Sequence, residues 1–353
     1  MALNTFGTNI LPNLVDHAQM TDPHGNTATI AWLLAQANPI LKDMIWQEAN
    51  SATGHEVTLN TALPQGTWRS NNQGVPASKG MNARVKFGIG MITDYSQVDR
   101  AQARLMGNIE KYRWTTDQMH IEGISQQIAS AIFYSNEATT PQQFTGFAPY
   151  YNSLETTTAQ TAKNVINAGG SSNSNTSIWR VDWGDHTIYG IYPKGTQAGL
   201  IYEDKGEFRQ LYDQYGNGFE GFTSYFEWML GLAVMNWTYV ARIANIDTTT
   251  AGLAGTTPPD LNVLMATASS LITTSPRRMF GITEVDAPGD PMPGTSPTWY
   301  CNRTGRLGLD IQAIRDKNVL ISLKEYAGEP VEFWREAPVR SCDSIINTEG
   351  TVS

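Results

Sequence analysis

The apolar positions of this chain change period several times, and the first clear pattern is two-fold. Over 56–63, Val57, Leu59 and Leu63 fall on one side and Glu56, Thr58 and Asn60 on the other. Over 82–92 the alternation resumes through Ala83, Val85, Phe87, Ile89 and Met91. A period of two puts successive side chains on opposite faces, so both stretches predict strands. Between them, 64–80 is rich in Gly, Asn, Gln, Ser and Pro, with Trp68 and Arg69 in its midst. The whole predicts a long hairpin with a loose tip, and because an isolated two-stranded hairpin is marginal in water, it calls for a partner surface.

The period then lengthens. Val98, Ala101, Leu105 and Ile109 recur at helical spacing, Gly107 interrupts the run, and Ile121, Ile124, Ile128, Ala131 and Ile132 carry the stripe to Tyr134. A helix over 110–134 would rise about 38 Å, long enough to be the spine of a domain. Upstream, 1–26 is polar with Pro12, Pro23 and Gly25 and predicts an extended arm with no core of its own. A helical pattern starts at Thr27 through Ile30, Leu33, Leu34 and Ala37. Asn38 and Pro39 then predict the N-cap and first residue of a short helix ending near Met44.

Beyond Pro141 short strands alternate with Gly-rich turns. Strands at 178–183 and 187–192 flank Gly184-Asp185, a hairpin-type turn signal. A second, aromatic-rich hairpin runs from 207–212 through the turn 215–218 to the alternation of Phe222, Phe226, Trp228, Leu230, Leu232 and Val234. Pro258-Pro259-Asp260 opens a helix through Leu261, Leu264, Met265, Ala268 and Leu271. A strand at 298–302, a helix through Leu309, Ile311 and Ile314, and strands at 319–323 and 331–334 complete the pattern.

Composition narrows the class. With 353 residues, 41% of them hydrophobic, the chain sustains one large or two ordinary cores. Only 16% are charged, so much of the surface is neutral and polar. The formal charge of -9, with no basic block, argues against a dedicated DNA-binding protein, which needs clustered cations. Cys301 and Cys342 lack the spacing of a disulfide framework or a zinc site and predict buried or free thiols in a reducing cytoplasm. The N-terminus has neither the basic nor the apolar region of a secretion signal, and no run reaches the length of a membrane span, so a soluble product is expected.

Candidate chemistry is sparse. Asp16-His17 and Asp22-Pro23-His24 lie in the polar arm, without the preorganisation a metal site requires. His120 lies one turn from Asp117 on the spine helix, where a solvated or capping role is expected. Asp185 and His186 are sequence neighbours that would point to opposite faces of a strand, so Trp183-Gly184-Asp185-His186 reads as a turn. No G-x-S-x-G, Walker, dinucleotide or H-E-x-x-H motif occurs. The expectation is therefore no catalytic site, no cofactor and no metal. What stands out instead makes poor sense in a monomer: an unanchored arm, a long hairpin and Trp68 at its tip. The other possibility is that arm and hairpin fold back on their own subunit.

The order of arm, hairpin, spine helix and mixed domain resembles the Hong Kong 97-type coat proteins of tailed phages, above all those of short-tailed phages of the epsilon-15 kind. The residues that carry it are Lys42-Asp43-Met44-Ile45-Trp46-Gln47-Glu48, Thr53-Gly54-His55, Leu63-Pro64, Trp68-Arg69, Asn72-Gln73-Gly74, Phe144-Thr145-Gly146, Asn175-Thr176-Ser177-Ile178-Trp179, Tyr192-Pro193-Lys194-Gly195 and Arg242-Ile243-Ala244-Asn245-Ile246-Asp247. The resemblance implies an α+β fold with an N-arm (1–50), an E-loop (51–95), a P-domain (96–140 and 326–346), an A-domain (141–325) with an inserted hairpin near 199–245, and a tail (347–353). It implies a major capsid protein that assembles, as pentamers and hexamers, into the icosahedral shell around a double-stranded DNA genome. Portal, scaffolding and decoration proteins would be further partners, and assembly would take place in the host cytoplasm. Trp68, Arg69, Asn72, Gln73 and Lys79 in the E-loop tip are the residues expected at the subunit interface. Two other classes stay open: an encapsulin-like compartment of the same fold, which would carry enzyme cargo, and a soluble β-rich enzyme, which would need a paired-carboxylate cleft.

Overall fold

The computed structural model describes residues 36, 38–105, 107–157, 159–206, 209–212, 215–249, 258–272, 295–316, 321–326, 329–335 and 337–353. The arm, the helical pattern from Thr27, and the Asp-His pairs at 16–17 and 22–24 lie outside the described residues. The first elements are α1 (Ile40–Asp43), β1 (Trp46–Glu48), β2 (Gly54–Ala62), β3 (Met81–Gly88), β4 (Gly90–Asp99), α2 (Arg100–Leu105) and α3 (Ile109–Tyr134). The apolar period over 82–92 therefore covers two strands. Gly107, with φ of +72°, ends α2 in a conformation that L side chains rarely adopt, so the spine starts afresh at Ile109. Asn38 does not cap α1: Pro39 holds that position, and the Asn38 Oδ1 accepts from Ser344, at 3.2 Å from N and 2.7 Å from Oγ.

After a short helix α4 (Phe147–Tyr150), strands β5 (Val165–Asn167), β6 (Asn175–Trp183), β7 (Ile188–Tyr192), β8 (Ile201–Asp204), β9 (Arg209–Tyr212), β10 (Gly218–Val234) and β11 (Val240–Asp247) follow. Helix α5 (Leu261–Leu271), β12 (Ser296–Cys301), α6 (Arg303–Asp316), β13 (Ile321–Tyr326), β14 (Glu329–Trp334) and β15 (Ala337–Ser341) complete the chain. The helix opens after Pro258-Pro259-Asp260 as the sequence predicts, and Asp260 caps α5, its carboxylate accepting from the Val263 N–H at 3.1 Å. The second hairpin is also present, β9 pairing antiparallel with β10 from Gly218↔Tyr212. The hairpin expected across Gly184-Asp185 is not: β6 and β7 meet at a single parallel position, Trp183↔Ile188. The turn instead passes the chain onward in the sheet, so that β6 pairs with β11 and β12 while β7 pairs with β1 and β10.

The chain divides into two compact units. In the first, built on 91–128 and 199–229, helix α3 lies on strands β4, β8 and β10. Val98, Ala103, Tyr112 and Phe222 form its buried cluster, with Ile109 against it. Three polar ties fix the helix over the sheet. Arg113 donates to Asp204 at 2.8 Å with its guanidinium over the Phe222 ring. Buried Asp117 accepts from Ser224 at 3.0 Å. His120 is neither solvated nor a cap: it pairs with Asp94 of β4 at 2.6 Å and stacks on Phe226.

The second unit holds 37–90, 129–198 and 230–353. Every residue of β6 is buried, and β6 is paired on both sides, by β11 and by β12. Phe133 and Phe147 pack against its own Trp179 and Trp183, and Phe133 against Tyr300 of β12, with ring centroids 5.8 to 6.5 Å apart, and each such pair contributes about 1 kcal/mol beyond the apolar area it removes from water. Gly146 has to be glycine, because a Cβ there would meet the carbonyl oxygens of Ala131 and Ile132 at 2.5 and 2.6 Å.

Candidate subunit interface

Strands β2 and β3 form a two-stranded sheet of their own, in register from Gly54↔Gly88 to Asn60↔Asn82, with a shift of register before Ala62↔Met81. Only the root is buried, through Gly54, Val57 and Phe87. The alternation that predicts these strands thus marks an inner face only near the root. All of 60–82 is exposed. Trp68 is 100% exposed and Leu63 75%. A fully exposed indole is an uncommon placement for so large an apolar side chain.

The tip is not shapeless. Gln73 donates its N–H to the Ser70 carbonyl at 3.3 Å, its side-chain oxygen accepts from Ser70 Oγ at 3.1 Å, and its carbonyl accepts from Arg69 at 3.2 Å. Asn72 takes the left-handed conformation this turn needs, with φ of +63°. Of the five residues expected at the interface, Arg69, Asn72 and Gln73 therefore build the turn, while Trp68 and Lys79 project from its two arms. Over 54–88 four cations, Arg69, Lys79, Arg84 and Lys86, stand against the single carboxylate of Glu56, in a chain whose formal charge is -9.

Sequence reasoning missed the residues that hold the hairpin at its root. Asn50 clamps the first strand through both backbone groups of Glu56, at 2.7 and 2.9 Å, and His55 reaches Tyr189 on β7 at 3.0 Å. Tyr189 is 134 positions away, and no local pattern signals a contact of that range. A second missed group lies in the sheet unit. Arg242 on β11 donates to Glu349 at 2.9 Å, to Ser177 at 3.0 Å and to the Tyr151 carbonyl at 2.7 Å, beneath the Trp179 ring. Tyr134 and Ser177 also donate to Glu349. Burial and the adjacent Glu349 carboxylate push the Tyr134 hydroxyl well above its ordinary range, so it stays a donor at any physiological pH.

Other candidate chemistry resolves into structural roles. Both thiols are buried, and burial pushes each up to about 12, far from a reactive thiolate. His120 and Asp94 line a cavity of about 430 Å³ with Ile92, Met119, Gly123 and Ile124. No group of three metal-ligating side chains comes together among the described residues.

The chain is similar to a chain of bacteriophage epsilon15, with 28% identity and a TM-score of 0.73 over 98% of this chain and 99% of that one. It also aligns with the capsid of bacteriophage JBD30, at 9% identity and a TM-score of 0.48 over 95% and 99% of the two chains. The SrpI encapsulin of Synechococcus elongatus aligns at 10% identity and 0.42 over 70% and 97%. At those scores the last two carry no argument. No curated protein sequence matches. The epsilon15 likeness and the mixed architecture identify the α+β Hong Kong 97-type fold expected from the sequence. With residues 22–353 matching the model of "Major capsid protein GP7", the chain belongs to that family of major capsid proteins.

Proposed function

We propose that this capsid protein builds the icosahedral shell of a tailed bacteriophage around double-stranded DNA, and that the β2–β3 hairpin is the arm by which one subunit grips the next. The observation that carries the reading is the exposed tip, with Trp68 bare and four cations along the hairpin. Nine residues of β2 reach about 30 Å, while only the root is buried. Trp and Arg are where interface energy concentrates, which makes Trp68 and Arg69 the anchors, with Asn72 and Gln73 holding the turn and Lys79 adding charge.

In this reading 1–50 is the N-arm, 51–95 the E-loop, 96–140 with 326–346 the P-domain, and 141–325 the A-domain. The insertion near 199–245 begins with residues that pack on α3, since Asp204 and Ser224 bind Arg113 and Asp117. It therefore braces the spine helix. Pentamers and hexamers form in the host cytoplasm, with portal, scaffolding and decoration proteins as further partners. With a formal charge of -9 and no basic block, the shell faces the DNA without gripping it. The chain's work in this reading is assembly, with no catalysis.

Replacing 65–79 with an Asn-Gly turn tests the arm. The variant should stay soluble and melt cooperatively at nearly the wild-type temperature, yet form no stable shells by negative-stain microscopy. Normal shells would refute the intersubunit role, and failure to fold would return the hairpin to the subunit's own core.

A further inference from the structure

The hairpin is fastened at its root through Asn50, and Asn50 is fastened in turn by His55. The Asn50 side chain donates to the Glu56 carbonyl and accepts from the Glu56 N–H, while its own backbone N–H donates to His55 Nδ1 at 3.3 Å. The other ring nitrogen, Nε2, lies 3.0 Å from the Tyr189 hydroxyl, and the two rings meet edge to face with centroids 5.7 Å apart. A backbone N–H only donates, so Nδ1 must present a lone pair. The imidazole is then neutral, carries its proton on Nε2 and donates it to Tyr189. A second proton would have to go on Nδ1, where it would face the Asn50 N–H head-on and replace a hydrogen bond with donor–donor repulsion.

The charged groups around the ring have other partners. Glu56, next on β2, pairs with Arg84 at 3.4 Å. Lys86 on β3, beside His55's cross-strand neighbour Phe87, donates to Thr53 at 3.3 Å. Asp185, in the turn before β7, accepts from Gln47 at 3.1 Å and acts by charge on Tyr189. None of them bonds to the ring.

We propose that His55 is a proton-operated latch on the hairpin: neutral, it holds Asn50 and through it the first strand; protonated on Nδ1, it lets Asn50 go and loosens the arm at its root. Burial lowers the His55 pKa below its ordinary 6.5, in line with a site built for the neutral ring. The sign follows: with the folded value below the unfolded one, holding is complete above 6.5 and weakens as the pH falls below it through the folded value. The latch would give the shell a pH-sensitive joint. That consequence rests on the reading of the hairpin as the intersubunit arm, whereas the latch itself is a property of the single subunit.

The test uses the unassembled full-length chain. Amide exchange at Glu56, normalised for the intrinsic rate, should lose about tenfold in protection between about pH 8 and pH 5 in the wild type. It should stay flat in His55→Gln, whose side chain does not titrate. Nitrogen chemical shifts of His55 at the upper pH should show the Nε2–H tautomer. The Nδ1–H tautomer, a flat wild-type profile, or an undiminished step in His55→Gln would each overturn the latch. If His55→Gln does not fold, the tautomer and the wild-type profile still decide. A hairpin that titrates as stated in a protein whose shells do not need it would contradict the arm and leave the latch standing.

Discussion

The β6–β11 sheet and the β2–β3 hairpin use the same backbone ladder to opposite ends. Every residue of β6 is buried, and all of β11 but Asp247, polar ones included; in the hairpin burial stops a few residues from the root. In the sheet, Ser177, Arg242 and Glu349 satisfy one another inside the subunit, while the polar groups of the tip shape a turn and leave the indole bare. Buried polar groups without partners are costly, so the sheet is specified within one chain. The hairpin has little to lose when the subunit is alone. With the hairpin as the proposed intersubunit arm, the contrast would separate residues that fold the subunit from residues that join it to others, and each side of it can be broken independently.

The largest effect should come from the sheet. Glu349→Ala leaves Arg242, 4% exposed, as a buried cation without its carboxylate, and strips Tyr134 and Ser177 of their acceptor. The expected loss is about 3–5 kcal/mol, read from the midpoint of chemical denaturation. A loss below about 1 kcal/mol would mean that this network does not hold the fold. Trp68→Ala should do the reverse. Subunit stability should stay within about 0.5 kcal/mol, while each intersubunit contact weakens by about 2 kcal/mol or more, read from the critical concentration for assembly.

Smaller effects sharpen the electrostatic side. Charge reversal of Lys79 and Arg84 together should raise the critical concentration several-fold at low salt, with the difference shrinking as salt screens beyond about 8 Å at physiological ionic strength. A salt-independent difference would remove charge from the account. The smallest effect concerns Asp204. The Arg113 hydrogen bond holds its carboxyl below the usual 3.8, so the pair's stabilisation is present above 3.8 and is lost as the pH falls through the folded value. Asp204→Asn should flatten that acid step in the unit built on α3, and an unchanged step would assign it to other carboxylates.

Much of this division was legible in the sequence. Alternation at 56–63, the break at Gly107 and the helix opening at Pro258-Pro259-Asp260 are local signals, and the structure follows them because each acts within a few residues. Strand β11 was not legible. Arg242 and Asn245 look unlike residues of a core strand, and only partners far along the chain, such as Ser177, Glu349 and Val352, make their burial tolerable. The turn at Gly184 failed as a hairpin signal because the sheet, and not the turn, chose the partners of β6 and β7. At the tip, Trp68 and Arg69 stood out as residue types out of place in a polar loop. The root did not, since His55 and Tyr189 meet only in the fold.

The most direct test of the division is residue-resolved oxidative footprinting of Trp68 in free subunits and in assembled shells. The account predicts rapid oxidation in the subunit, where the indole is wholly exposed, and strong protection in the shell, while buried Trp179 is protected in both. Equal oxidation of Trp68 in subunit and shell would contradict it.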